Sequence, residues 1–329
     1  MCTLRSWLIK ENGEPNDVLR IEEVSKPTIE RNQVLIEVDA VALNFFDILL
    51  CQGKYQEKPP FPFTIGAELS GKIVAINEGS KFDVGQRVIA LPKLPAGGLT
   101  EYVAVDERSI YPIPKSMPSN KAASMFITYH TSYYALHHRA NIQPGEILLV
   151  HAGAGGVGSA AIQLGKAAGA YVIATAGGTE KTKVCRSLGA DIVIDYLTED
   201  FVQVVKEKTD GRGADIIYDS VGGDVFDRSR KCIAFDGRIL VIGFAGGTIP
   251  NAPTNHMLVK NYSVVGVHWG LFSKLNPKGV QQNHKELMKL YKEGKIDPLI
   301  YREFEFDEVV EALNLLGDRK TWGKLVVKV

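Results

Sequence analysis

A strand, a glycine-rich turn and a helix follow one another directly between residues 147 and 169. The run ILLVHA (147–152) is mostly apolar, as in a buried strand, and VGSAAIQLGKAAG (157–169) has the pattern of a helix. The turn between them has the spacing Gly-x-Gly-x-x-Gly, which is weak alone and specific in this position. Glycine allows a tight turn there and lets the backbone approach a pyrophosphate at the helix N-terminus. We predict that this turn is a dinucleotide-binding site made by Gly153, Ala154, Gly155, Gly156, Val157 and Gly158. The alternative is a glycine-rich turn that binds no ligand.

The chain changes character near residue 125. Beyond it, apolar strands alternate with helices, which predicts a doubly wound α/β sheet of parallel strands. The six predicted strands are 147–152, 171–176, 191–195, 214–220, 237–243 and 262–267. Before residue 120, short β-rich runs broken by Gly and Pro predict an antiparallel β domain. The last segment, from residue 306, ends in a helix, a turn and a β-type run that could return to the first domain. We predict domains at 1–124 and 125–297, with 298–329 returning to the first.

Composition and charge limit the classes of partner that this chain is expected to bind. Lys plus Arg and Asp plus Glu both number 38 in 329 residues, so no overall field exists to hold nucleic acid or an anionic membrane. The N-terminus shows no apolar run of signal-peptide length, and we expect a cytoplasmic protein. Four cysteines lie far apart, without a CxxC pair, and are expected to be reduced: Cys2, Cys51, Cys185 and Cys232.

The end of the second predicted strand bears on the cofactor. An NAD site places Asp or Glu there to bind the ribose 2′-hydroxyl, whereas this chain has Thr175, Ala176, Gly177 and Gly178. No carboxylate at that place repels a 2′-phosphate, and Lys181 and Lys183 follow closely. The pattern favours NADPH over NADH, although the lysines could equally belong to a solvated helix face.

Several blocks resemble the zinc-free quinone oxidoreductase, or zeta-crystallin-like, branch of the medium-chain dehydrogenase/reductase superfamily. The most specific is GEILLVHAGAGGVGSAAIQLGK (145–166), and similar blocks are NFFDILLCQGKY (44–55), PFTIGAELSG (62–71), TSYYAL (131–136) and YDSVGG (218–223). The resemblance implies a GroES-like antiparallel β domain built from both ends of the chain and a Rossmann domain between them. It also implies a homodimer, as does an apolar strand expected at a sheet edge.

The resemblance also implies roles for residues outside the glycine turn. Asn44 and Thr131 would lie by the nicotinamide, Lys181 and Tyr196 would flank the 2′-phosphate, and the Gly243-Phe244 turn would line the cofactor cleft. Plainer roles stay open, because Asn44 could cap the helix FFDILLC and Tyr196 could simply end a strand.

Zinc-dependent relatives of this superfamily are expected to carry C-x-x-D and G-H-E, and this chain departs from both. It has Asn44-Phe45-Phe46-Asp47 and Gly66-Ala67-Glu68, so a thiolate and an imidazole ligand are missing. The four-cysteine structural lobe is absent too. His130, His137 and His138 fit a partly exposed helix better than a metal site. We predict no metal site.

Without zinc, an acceptor that delocalises its own charge is favoured over simple alcohol oxidation. We therefore expect NADPH-dependent hydride transfer to a quinone or similar conjugated acceptor, with Tyr55 and Asn44 as the catalytic residues. Tyr55 could donate a proton or simply pack, and Leu49 stands where the family usually has a second tyrosine. An enoyl-thioester or alkenal reductase is the close alternative. A structural or RNA-binding, crystallin-like protein is the alternative from another class, and the zero net charge argues against RNA.

Overall fold

The computed structural model describes residues 3–329, which form two compact units. The β unit consists of residues 3–127 and 298–329, and the α/β unit consists of Thr128–Asp297. The unit boundaries therefore follow Ile127 and Asp297, compared with the predicted boundaries after residues 124 and 297. Cys2 lies outside the described residues.

Fifteen strands lie within residues 3–329. In chain order they are β1 Thr3–Ile9, β2 Leu19–Ser25, β3 Gln33–Ala42, β4 Leu69–Ile76, β5 Arg87–Ala90, β6 Tyr102–Asp106, β7 Ile110–Pro112, β8 Ile147–Val150, β9 Tyr171–Ala176, β10 Ile192–Asp195, β11 Ala214–Asp219, β12 Ile233–Val241, β13 Ser263–Gly266, β14 Ile300–Phe304 and β15 Lys324–Lys328.

Twelve α-helices lie within the same residues. They are α1 Pro15–Val18, α2 Phe45–Cys51, α3 Ser119–Ala123, α4 Phe126–Tyr133, α5 Gly156–Ala167, α6 Thr179–Ser187, α7 Phe201–Lys208, α8 Gly223–Ser229, α9 Thr254–Lys260, α10 Trp269–Leu275, α11 Pro277–Lys292 and α12 Val309–Gly317. Short 3₁₀ helices occupy Glu107–Ser109 and Phe306–Glu308, and Tyr134–Arg139 forms a π-helix.

The β unit is built around β3. This strand pairs antiparallel with β4, β6 and β15, so the C-terminal strand joins the N-terminal sheet. The fold differs from a purely antiparallel domain in one pair, because β14 and β15 run parallel. Helix α12 lies between them in the chain and supplies the crossover that a parallel pair requires. Alternate side chains of these strands, such as Ile36, Ile73 and Leu325, form the buried core.

The α/β unit contains a six-stranded parallel sheet in the order β10-β9-β8-β11-β12-β13. This confirms the predicted doubly wound fold. The apolar strands are buried on both faces, as the fully buried side chains of Leu149, Ile217 and Ile239 illustrate. The chain order reverses between β8 and β11, and ligands of such sheets bind beyond the carboxyl ends of the strands at this point. The glycine turn follows β8 directly.

His130, His137 and His138 are expected on one partly exposed helix, and the structure differs from this expectation at His130. His130 is fully buried, with its Nε2 3.4 Å from Nδ1 of His284, and burial holds its pKa well below the ordinary value. The prediction of partial exposure is therefore wrong for His130, because α11 covers it. His137 and His138 lie on the π-helix, where His138 Nε2 is 2.9 Å from Oδ1 of Asn283.

The cysteines within residues 3–329 are unreactive thiols. Cys51, Cys185 and Cys232 are free thiols, and burial raises the pKa of each to about 12. Since the thiolate is the nucleophilic form, none of the three is activated. Separately, among residues 3–329, no helix has both the length and the apolar character needed to cross a membrane.

Candidate active site

The glycine turn lies between β8 and α5. Gly155 is the N-cap residue of α5, whose first backbone N–H groups have no partner within the helix and can receive an anion. The N–H of Gly153 donates to the carbonyl of Thr175 at 2.9 Å, which ties the turn to the end of β9. This hydrogen bond fixes the position of the turn at the carboxyl edge of the sheet.

The three glycines of the turn differ in what an added Cβ would meet. A Cβ on Gly158 would lie 2.3 Å from the carbonyl oxygen of Ala152, so the helix and the preceding turn touch through their backbones. A Cβ on Gly153 would press on Cys185 and Ile162 at 3.0 Å. A Cβ on Gly155 would meet only one atom within 4 Å, the Ala152 oxygen at 3.3 Å. The space beside Gly155 is therefore open, and a side chain there would narrow the approach to the start of α5.

A buried histidine that sequence reasoning missed supports the turn. Nδ1 of His151 lies 3.1 Å from the hydroxyl of Thr175, and Nε2 lies 2.8 Å from the hydroxyl of Ser229. Burial lowers the pKa of His151 to about 3, so the ring is neutral. Thr175, a predicted cofactor residue, thus directs its hydroxyl to His151, and its carbonyl holds Gly153. A polar residue at the carboxyl end of a buried strand is the signal that could have found His151.

The predicted 2′-phosphate residues lie at the ends of β9 and β10. The phenol of Tyr196 covers Gly177, where a Cβ would come within 2.6 Å of the hydroxyl oxygen. Lys181 lies in the first turn of α6, and burial lowers its pKa. The structure also places a carboxylate nearby that sequence reasoning missed. Oδ1 of Asp195 accepts the N–H groups of Gly178 and Leu197 at 3.0 and 3.1 Å.

Thr131 lies on α4, next to a residue that contacts the glycine turn. The hydroxyl of Ser132 donates to the carbonyl of Val157 at 3.0 Å and lies 2.9 Å from the hydroxyl of Tyr218 on β11. This contact, which sequence reasoning missed, fixes α4 beside the start of α5. Thr131 itself is half-buried.

The turn at Gly243 and Phe244 is held by the neighbouring loop of the sheet. Backbone N–H groups of Ala245 and Gly246 donate to the carbonyls of Ser220 and Val221 at 3.0 and 2.8 Å. The Phe244 ring remains 41% exposed. The loops after β8, β11 and β12 thus stand at the same edge of the sheet.

Asn44, in the β unit, occupies the N-cap position of α2 and forms a capping box with Asp47, as the plainer interpretation of this residue predicts. Its side-chain N–H₂ donates to the Ala42 carbonyl at 3.2 Å and to Glu68 Oε1 at 3.1 Å. Its Oδ1 accepts from the ammonium of Lys324 at 2.6 Å. The same ammonium donates to Glu68 Oε1 at 2.9 Å and to the Leu43 carbonyl at 2.8 Å. We call these three side chains, Asn44, Glu68 and Lys324, the lysine cluster.

Asp47 lies beside the lysine cluster and is fully buried. Its carboxylate accepts the backbone N–H groups of Asn44 at 2.7 Å and Gly66 at 3.2 Å. Burial raises the pKa of Asp47 to about 6, although these hydrogen bonds and the charge of Lys324 oppose the rise. Asp47 therefore serves as the anchor that joins the start of α2 to the loop before β4.

Tyr55 follows α2 and is half-buried. Its ring stacks on Phe46, with 5.3 Å between ring centroids and an angle of 27° between planes. Its N–H donates to the carbonyl of Leu49 at 3.2 Å. The packing and the proton-donor interpretations of Tyr55 both fit this position.

Two family models match the chain. The model described as the alcohol dehydrogenase GroES-like domain matches residues 30–115, and the model described as zinc-binding dehydrogenase matches residues 156–292. The quinone oxidoreductase-like protein 2 homolog of Nematostella vectensis is 40% identical over 328 residues, which is 98% of this chain and 88% of that protein. The chain belongs to the quinone oxidoreductase-like branch of the medium-chain dehydrogenase/reductase superfamily. It is an oxidoreductase.

Solved structures agree with this assignment. A quinone oxidoreductase of Pseudomonas syringae has a TM-score of 0.90 at 29% identity, covering 99% of this chain and all of that one. A mycobacterial protein solved in complex with NADPH has a TM-score of 0.89 at 28% identity, covering 99% of this chain and all of that one. The CurK enoyl reductase has a TM-score of 0.86 at 30% identity, covering 99% of each chain. The glycine cradle fits the nicotinamide cofactor that the family implies.

Proposed function

We propose that this chain is an NADPH-dependent reductase that delivers hydride, without a metal ion, to a quinone or a similar conjugated acceptor. The lysine cluster is the observation that carries the proposal, because it supports metal-free chemistry over metal-assisted chemistry. The name of the matched family model implies zinc, so the fit of the residues to zinc is the first test.

Zinc does not fit the residues of the β unit. It prefers thiolate, imidazole and carboxylate ligands, whereas Asn44 and Ala67 supply neither a thiolate nor an imidazole. The carboxylate of Glu68 already holds the Lys324 ammonium at 2.9 Å, so a positive charge occupies this place. Within residues 3–329, no three His, Cys, Asp or Glu side chains are grouped to hold a metal. The donor set therefore supports a reaction that needs no Lewis acid.

The absence of a Lewis acid in the proposed reaction bears on the acceptor. Hydride transfer to a carbonyl builds negative charge on oxygen, which must be stabilised. A quinone spreads this charge over its ring, and water can protonate the product. Both a 40% identical relative and a structural neighbour carry quinone oxidoreductase in their names, which supports this acceptor.

The choice of NADPH is supported by the end of β9. Gly177 is covered by Tyr196, Lys181 follows one turn later, and a mycobacterial neighbour was solved with NADPH. Asp195 opposes this choice with its negative charge, but its Oδ1 already accepts two backbone N–H groups. We propose that the Lys181 ammonium makes the contact that favours the 2′-phosphate.

The chain's own residues bind and orient the reactants in this scheme. NADPH supplies the hydride when bound. In this proposal the N–H groups at the start of α5 would receive the pyrophosphate, Thr131 would lie by the nicotinamide, and the Gly243-Phe244 turn would line the cofactor site. Both side-chain N–H groups of Asn44 are engaged within the β unit, so this amide donates no hydrogen bond to an acceptor oxygen. The proton for the acceptor oxygen therefore comes from Tyr55 or from water.

A second candidate is an enoyl-thioester or alkenal reductase, favoured by the 30% identity to the CurK enoyl reductase. The experiment is a panel of quinones, enones and acyl-thioesters, with NADPH oxidation followed by absorbance. We expect quinones to give the highest kcat/KM. Preference for an enoyl-thioester or an alkenal would favour the second candidate. No oxidation with any acceptor would refute both and leave a binding or structural role.

We also propose that the chain forms a homodimer through β13. Within residues 3–329, this strand is at the edge of the parallel sheet and pairs with β12 alone. Val267 donates its N–H to β12, so the alternation of a strand directs the N–H groups of Val264 and Gly266 to the open side. A second copy of this strand could pair there about a two-fold axis.

A further inference from the structure

Asp195 brings a carboxylate to the end of β9, where the sequence of that strand has none. It is the last residue of β10, and its Cα is paired with that of Ala176 at the end of β9. The N–H of Tyr196 continues this pairing by donating to the Ala176 carbonyl at 3.1 Å. The register therefore places Asp195 one strand spacing, about 4.8 Å, from the end of β9.

The Asp195 carboxylate bridges the segments that follow both strands. Its Oδ1 accepts the N–H of Gly178, after β9, at 3.0 Å and the N–H of Leu197, after β10, at 3.1 Å. An ionised carboxylate has two oxygens and accepts about four hydrogen bonds. Among residues 3–329, no donor lies within hydrogen-bond distance of Oδ2, and Asp195 is only half-buried. Oδ2 can therefore accept a hydrogen bond from a ligand.

The end of β9 is the place at which a Rossmann fold recognises the ribose. In NAD-type sites, a carboxylate at the end of the second strand accepts the ribose 2′-hydroxyl. Strand β9 is that second strand, and it pairs with β8, which leads into the glycine turn. A hydroxyl can donate to Oδ2, whereas a 2′-phosphate at the same place is repelled by the charge of Asp195.

Lys181 acts in the opposite sense at the same place. It lies in the first turn of α6, whose N-cap residue is Gly178, the hydrogen-bond partner of Asp195. An ammonium and the N-terminal end of a helix both attract a phosphate. The end of β9 therefore has one neighbouring side chain that favours a phosphorylated ribose and one that favours the free hydroxyl.

We infer that Asp195 is a specificity-determining residue, which accepts the ribose 2′-hydroxyl of NADH and keeps the preference for NADPH below the level that Lys181 alone would give. The inference rests on the proposed function, which puts the 2′-phosphate at Lys181. It involves residues of the α/β unit alone. It predicts that removing the charge of Asp195 makes the chain more selective for the phosphorylated cofactor.

The test compares two neutral variants with a matched control. Asp195→Asn removes the charge and keeps Oδ1 as the acceptor of the two N–H groups, and Asp195→Ser is a smaller neutral variant. Asp210→Asn is the control, because Asp210 is exposed and lies in the turn before β11, at the opposite edge of the sheet. Its φ of +52° is one that asparagine also adopts. Circular dichroism and urea unfolding verify that each variant is folded.

Calorimetry measures the binding of two ligands that lack the nicotinamide ring, ADP-ribose and 2′-phospho-ADP-ribose. In Asp195→Asn, ADP-ribose should bind about fivefold more weakly, because a charged acceptor becomes neutral. 2′-Phospho-ADP-ribose should bind about fivefold more tightly, because a like charge is removed. In about 1 M salt the second change should fall below about twofold, since the Debye length is then about 3 Å, whereas the first should persist. Asp210→Asn should bind both ligands as the wild-type protein does.

Three results would overturn the inference. One is unchanged affinity for both ligands in the folded Asp195 variants. Another is an equal loss of affinity for both ligands, which a merely structural carboxylate would produce. The third is the same pair of changes in Asp210→Asn, which would assign the effect to net charge. Failure of the proposed function is seen separately: acceptors would not be reduced, while the dependence of ribose binding on Asp195 would remain and support the inference.

Discussion

Replacing Gly155 or Gly158 by alanine adds one methyl group at either of two positions that are three residues apart. We expect the change at Gly158 to lower the stability of the fold and the change at Gly155 to weaken NADPH binding. A Cβ on Gly158 meets three backbone atoms at 2.3 to 3.0 Å, and backbone cannot move aside cheaply. Overpacking of this kind costs about 1–3 kcal/mol of unfolding free energy. Gly158→Ala should therefore be less stable by that amount.

Gly155→Ala should leave the fold nearly intact. Its Cβ has a single neighbour at 3.3 Å, and the φ of −74° is one that alanine readily adopts. We expect a loss of stability below about 1 kcal/mol, the range for an N-cap change. The methyl group would occupy the space where the pyrophosphate approaches the start of α5. NADPH affinity should fall at least about tenfold, or about 1.4 kcal/mol.

Urea unfolding measures the stability of each variant, and fluorescence titration measures its affinity for NADPH. Gly270→Ala, on the exposed helix α10, is the control for an added methyl group outside the turn. Wild-type NADPH affinity in folded Gly155→Ala would refute the assignment of this turn as the pyrophosphate site. Wild-type stability in Gly158→Ala would refute the argument from backbone packing.

Lys181→Ala should weaken NADPH at least about tenfold by titration and leave NADH nearly unchanged, since a charged hydrogen bond to phosphate is worth about 1.5–3 kcal/mol; equal losses would make the lysine structural. Tyr55→Phe should reduce quinone turnover less than about tenfold in steady-state assays, because water can protonate the product; a far larger loss, with cofactor affinity intact, would identify an acid catalyst and favour the enoyl reductase. Val264→Pro removes an N–H from the open edge of β13 and should give a monomer by light scattering, whereas Val265→Pro should chiefly destabilise the sheet; a monomeric wild-type protein would contradict the dimer. Burial raises the pKa of Asp47 from 3.8 to about 6, so the folded protein holds the proton of this carboxyl more tightly than the unfolded chain does. The resulting contribution to the free energy of unfolding is fully present below pH 3.8 and is lost as the pH rises through 6. Relative to Asp47→Asn, the wild-type protein should lose up to about 3 kcal/mol of unfolding free energy across that window by urea titration; an unchanged difference would contradict the raised pKa.

The sheet of the α/β unit could be predicted because its strands are long apolar runs separated by helices. That periodicity depends on the local chain alone, and the predicted strands match to within a few residues. The exception is β12, which begins at Ile233 and not at 237. Asp236 within it has a φ of +58°, and the pairing with β11 shifts register nearby, so the early part of the strand lacks a regular pattern.

The lysine cluster could not be predicted in the same way. The final run KLVVKV offers two lysines, and only the three-dimensional return of β15 to β3 buries Lys324 and leaves Lys328 exposed. The sequence predicted roles for Asn44 at the nicotinamide and in catalysis, and it singled out Glu68 only within the Gly66-Ala67-Glu68 block, but it linked neither residue to Lys324. Asp195 was missed for a related reason: it ends the third strand of the sheet, and its position beside Gly178 depends on the pairing of β10 with β9. Contacts across strands require the register, which composition does not reveal.

The central claim is that this chain reduces a conjugated acceptor with NADPH and needs no metal. The most direct measurement is the rate of NADPH oxidation by a quinone before and after prolonged chelation, with elemental analysis of the same samples. We predict an unchanged rate, with zinc far below one ion per chain. A rate that disappears on chelation and returns when zinc is added would contradict the account.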